Sequence, residues 1–165
     1  MSKDNINMNL LDRFFRAYYC RANKVDCKEN DLPTTTESGW IEKKDNKFYV
    51  ANIPFFAEAI NIDDEVDLKF ENDSLPIVSK IVSRQYISKS VIEYSSMDIY
   101  ENLKKVTNQW SGKIEGIQAP NFDINKKKFV RGKVIVASNI SKQVINDVIT
   151  SVGATLVWHN TFNKS

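Results

Sequence analysis

The chain has 165 residues, 42% hydrophobic and 27% charged, with a formal net charge of +2. That length fits about one domain or two small units, and the composition excludes collagen-like, low-complexity and disordered classes. No apolar run approaches the roughly 20 residues that span a bilayer. Met1-Ser2-Lys3-Asp4-Asn5 lacks an apolar signal core, so the expectation is a cytoplasmic protein without a membrane partner.

In chain order, residues 1–7 are polar and read as a frayed end. Leu10, Leu11, Phe14, Phe15, Tyr18 and Tyr19 recur at helical spacing. The aromatics of 14–21 equally suit a strand, so periodicity and propensity disagree over 8–22. Residues 24–38, with Pro33 and three threonines, read as a loop. Strands are predicted at 40–44 and 48–52, joined by an Asp45-Asn46 hairpin turn. Residues 65–71 alternate Val66, Leu68 and Phe70 with Asp67 and Lys69, as a half-buried strand does. Asn72-Asp73-Ser74 turns the chain back into a strand at 77–82. The first part thus reads as an antiparallel sheet or partial barrel.

The rhythm then changes. A strand at 87–94 is followed by a cap pattern at Ser95 and Asp98. Ile99, Leu103, Val106 and Trp110 then mark one face of a helix. Residues 113–118 form a strand, 119–127 a loop containing Pro120, and 129–137 a strand with the apolar run Val134-Ile135-Val136. Asn139 is the predicted cap of a second helix, whose apolar side carries Ile140, Val144, Ile145, Val148, Ile149 and Val152. Gly153 is its expected stop, and 154–159 the last strand. Strand–helix–strand, repeated, is the ferredoxin-like split βαβ pattern. The fold class is therefore α+β: an antiparallel sub-unit over 1–85 packed on a ferredoxin-like βαββαβ sub-unit over 86–165. The doubly apolar strand 134–136 calls for cover on both faces, from the first sub-unit or a partner.

Glu37-Ser38-Gly39-Trp40, followed by Phe48-Tyr49-Val50-Ala51-Asn52-Ile53-Pro54-Phe55-Phe56-Ala57, resembles a bacterial family, domain-of-unknown-function family 4265. The shared features are an acid shortly before a tryptophan and then an N-I-P-F-F/Y-A signature. A glycine-aspartate-hydrophobic turn follows in the family. Here that turn is Ile62-Asp63-Asp64-Glu65-Val66, without the glycine. The match is specific over about 37–70. Beyond 87 only the pattern of elements agrees, ending at Val157-Trp158-His159. Ser83-Arg84-Gln85-Tyr86 departs from the family's serine-glycine-histidine or asparagine stretch, so a site on that loop does not carry over. The resemblance implies a strand over 14–22 and brings no assigned activity. Physically, Pro54 ends a strand by removing a ladder donor.

Charge is uneven. Between positions 26 and 73 there are 13 acids and 5 lysines, a balance of −8. Between 104 and 133, 8 bases face Glu115 and Asp123, a balance of +6. Fields of opposite sign are expected if these charges lie on separate surfaces. Cys20 and Cys27 are expected as thiols in a cytoplasmic chain. With one histidine, His159, a Cys/His zinc site lacks ligands, and no signature ties His159 to a nucleophile. Five scattered glycines form no phosphate loop. No enzymatic activity, cofactor or metal is expected.

Lysine (18), asparagine (17) and isoleucine (17) abound beside 5 arginines, as AT-rich coding in bacteria or phage produces. A small non-catalytic bacterial chain with an acidic region suggests an immunity protein. It would neutralise a cognate toxin, a nuclease being favoured because such toxins are basic. The acids that would meet it are Asp63, Asp64, Glu65, Asp67, Glu71 and Asp73. The alternative is a nucleic-acid-binding regulator using Lys126, Lys127, Lys128, Arg131 and Lys133. The sequence ranks the protein toxin ahead of nucleic acid, because the central strands of the sheet offer only Tyr94 and Phe129 for base stacking.

Overall fold

The computed structural model describes residues 13–20, 36–72 and 74–163. The chain divides into two compact units at Gln85/Tyr86.

The first unit is a five-stranded antiparallel sheet: β1 (Phe14–Cys20), β2 (Glu37–Lys44), β3 (Lys47–Val50), β4 (Glu65–Lys69) and β5 (Ile77–Ser83). It closes into a barrel where β1 meets β5 in parallel at Tyr18↔Ile77, with Tyr18 N–H donating to Pro76 O. In β1, Phe15, Ala17 and Tyr19 point into the core, while Phe14, Arg16 and Tyr18 alternate outward. A period of two therefore wins over the helical spacing read from 10–19, within the described residues. Ile41, Val50, Ala57, Ile60 and Val66 complete the buried core, and Phe48 meets Phe15 edge-on. Asp45 and Asn46 both take positive φ, 51° and 61°, as a two-residue hairpin turn requires. The proposed turn at 72–74 includes Asp73, which lies outside the described residues, as do Cys27, residues 1–7 and most of 24–38.

The second unit contains β6 (Ser88–Tyr94), α1 (Met97–Gln109), β7 (Lys113–Gln118), β8 (Asn121–Asp123), β9 (Lys128–Val130), β10 (Gly132–Ser138), α2 (Lys142–Ser151) and β11 (Thr155–Thr161). Its antiparallel sheet has the order β11-β6-β10-β7. Ile92, Tyr94, Val134 and Val136 pack with Leu103, Ile145 and Ile149 of the helices. Ile135 and Ala137 alternate with those valines and are also buried, as are their cross-strand neighbours Val91 and Lys89.

Three local expectations are corrected. Ser96, not Ser95, caps α1, its Oγ accepting from Ile99 N–H. Ser141, not Asn139, caps α2, its Oγ accepting from Val144 N–H; Asn139 Oδ1 instead accepts from Ile87 N–H. The segment 119–130 is not a plain loop leading into a strand. It folds into a separate two-stranded hairpin, β8–β9, and β10 starts only at Gly132. Gly132 lies against the Tyr94 ring, where a Cβ would come within 2.4 Å. Gly153 does follow α2 with φ +85°.

Candidate functional site

The 37–57 signature proves to be a network of backbone caps. Both Glu37 carboxylate oxygens accept from main-chain N–H groups, those of Phe55 (2.7 Å), Phe56 (2.8 Å) and Ala57 (2.7 Å). Asn52 Oδ1 accepts from Trp40 N–H, and the Tyr19 hydroxyl lies within hydrogen-bonding distance of Asn52 Oδ1 and Trp40 O. The Tyr19 ring crosses Gly39 so closely that a Cβ there would fall 2.3 Å from it. Trp40 itself stands 47% exposed, with the Arg16 guanidinium over its ring. These residue types serve the backbone of the bend.

The acids of the first unit do not form one open face. Asp64 is fully buried. Its Oδ2 accepts from Asn61 N–H at 2.8 Å and from Arg84 Nη1 at 3.1 Å, while Arg84 Nη2 donates to Ala59 O. It is part of the fold, so its place in a surface acid set is corrected. Asp63 is half-buried at φ 60°, holding the turn that feeds β4. Glu65 pairs with Lys47, raising the Lys47 pKa through the hydrogen bond and the charge of the carboxylate. Asp67 is exposed but sits opposite Lys80 across β4–β5, and Glu71 pairs with Lys69. The sequence window that gave −8 omitted Arg13, Arg16, Lys80 and Arg84. Over residues 1–85 the sequence carries 15 acids and 12 bases, a balance of −3.

Hairpin β8–β9 is the opposite case. Asp123 Oδ1 accepts from the N–H groups of Asn125 and Lys126, both at 3.0 Å, and Lys127 takes φ 48°. One acid thus fixes a tight turn in which Lys126, Lys127 and Lys128 follow one another. Lys126 approaches Asp123 only to 3.8 Å. Lys127, Lys128 and Arg131 form no ion pair among the described residues. Lys133, on β10, is held by Glu93 at 3.6 Å and leaves the set. Phe122 and Phe129 are direct cross-strand partners, 60% and 50% exposed, and Ile124 is 80% exposed. The sequence reading missed Phe122 and Ile124. Their alternation with Asn121, Asp123 and Asn125 was the available signal. Tyr94, by contrast, is buried and stacked on Tyr100; burial raises its pKa, with Tyr100 adding to the effect.

His159 Nδ1 lies 2.8 Å from Ser90 Oγ, and its Nε2 lies 3.1 Å from Thr161 Oγ1. Ser90 is fully buried, while His159 is half-buried. Burial lowers the His159 pKa, and the charge of Lys142 lowers it further. Among the described residues no three His, Cys, Asp or Glu side chains gather as metal ligands, and no helix is long and apolar enough to cross a membrane.

No family model matches the chain, and no curated protein matches it. Among solved structures, it is similar to a hypothetical protein from Neisseria gonorrhoeae, known from its crystal structure. The TM-score is 0.51 over 88% of this chain and 92% of that one, at 12% identity. At such identity the likeness is one of fold.

Proposed function

We propose that this is a non-enzymatic binding protein that engages nucleic acid through hairpin β8–β9. The observation that carries the reading is the grouping of Lys127, Lys128 and Arg131, unmatched by carboxylates, beside two exposed phenylalanines. Cations free of local partners can neutralise phosphates and release counterions. The second unit as described holds ten bases and six acids, which adds a favourable field. The burial of Ser90 beside His159 supports a structural role for that pair.

Neutralisation of a basic toxin through an acidic face ranks second. Asp64 is buried, and Glu65, Asp67 and Glu71 each have a lysine beside or opposite them, which weakens the field that reading needs. Three further inferences belong to the same proposal. The order β11-β6-β10-β7 is that of fourth, first, third and second strands, which supports a ferredoxin-like second unit. Kinship with domain-of-unknown-function family 4265 is proposed from the residue signature over 37–57 alone. The site of action is the cytoplasm.

Charge reversal tests the function. A Lys126→Glu, Lys127→Glu, Lys128→Glu variant should lose binding to a labelled oligonucleotide in an anisotropy titration, while Asp67→Lys with Glu71→Lys should not. Binding unchanged in the lysine variant would overturn the reading. A basic nuclease captured by the native protein and lost on Asp67 and Glu71 reversal would move the function to toxin neutralisation.

A further inference from the structure

We propose that β8–β9 selects single-stranded over duplex nucleic acid, with unpaired bases stacking on the Phe122–Phe129 pair. This rests on the nucleic-acid reading and adds what that partner must look like.

Directly opposed residues of an antiparallel pair lie on one face of the ribbon, so Phe122 and Phe129 share a face of the hairpin. Both are at least half exposed. Lys127 and Arg131 stand two residues to either side of Phe129 in sequence, Lys127 in the turn and Arg131 just past the strand. Cations thus stand on both sides of Phe129 along the chain, where phosphates of one strand can meet them. A duplex hides its base faces in the stack and offers such a ring nothing; an unpaired strand offers a π-face at every base.

The same composition could suggest an anionic lipid surface, but the tip argues against it. Inserting the turn would carry Asp123, Asn125, Lys126 and Lys127 into the interface together with Ile124, and the Asp123 carboxylate is committed to tip N–H groups. The mode also differs from sheet-face stacking, since the central strands β6 and β10 place Val91, Ile135 and Ala137, all buried, on the face away from the helices.

The test is anisotropy of the full chain with a labelled 12-nucleotide oligothymidine and with a blunt duplex of equal length, at low salt. The expected result is tighter binding of the single strand. Phe122→Ala and Phe129→Ala should each weaken it by about tenfold, and Phe129→Tyr should restore it. Both residues are exposed, and circular dichroism verifies that the variants fold. Equal affinity for both forms, unmoved by the phenylalanine variants, would sink the stacking inference while leaving phosphate binding intact. No binding to either oligonucleotide would sink both. Binding to phosphatidylglycerol vesicles without binding to oligothymidine would replace nucleic acid by a membrane surface.

Discussion

Asp64 gives up its hydration to pair with the largely buried Arg84 and to cap Asn61 N–H. Removing one partner of such a pair strands the other charge, at a cost of about 3–5 kcal/mol. Asp64→Ala should therefore lower unfolding free energy in a urea titration by that order, whereas Asp67→Ala should stay within about 0.5 kcal/mol. Equal, small effects would contradict the burial argument. His159 makes a pH-dependent prediction. Its folded pKa lies below the ordinary value because burial disfavours the imidazolium. The unfolded chain then binds the proton more readily, so stability is full above about pH 6.5 and declines as pH falls below it. His159→Gln should remove that decline between pH 7 and 5, read as thermal midpoints. Sequence alone does not separate Asp63 from Asp64. They are adjacent carboxylates, and only the left-handed turn at Asp63 decides which one faces inward.

Elements were legible where periodicity was sustained. Leu103, Ile145 and Ile149 of the helices and Val66 of β4 are buried as the periodicity predicts, because burial on one side imposes a period on side chains; Val144 and Phe70, expected on the same sides, are exposed. Legibility failed where competing signals were local. Ser95 and Ser96, or Asn139 and Ser141, are chemically equivalent caps, and the choice falls to where the preceding strand ends. Hairpin β8–β9 was missed because strands of three residues carry too few alternations to stand out. The capping assignment has a direct check. Ser141→Ala should cost about 1 kcal/mol through loss of the α2 cap. The effect should be smaller with Ser141→Asp, which keeps an acceptor for Val144 N–H. A Ser141→Ala variant as stable as the native chain would return the cap to Asn139.

For the molecule as a whole, charge counted along the chain misled where strand pairing mixes distant segments. Arg13, just before β1, and Lys80 of β5 meet Glu42 and Asp67, and the bend before β4 carries Asp64 to Arg84, so part of the acidic window is offset. The basic window survives on the hairpin because β8 and β9 pair with each other, and the one acid between them is spent on the turn. The central claim is that these cations meet phosphates, and its most direct measure is the salt dependence of oligothymidine binding. Three single-strand phosphate contacts predict a slope of log K against log salt of about −2. A Lys127→Ala, Lys128→Ala variant should flatten it by about 1.4. A slope near zero in the native protein, or one that the double variant leaves unchanged, would contradict the account.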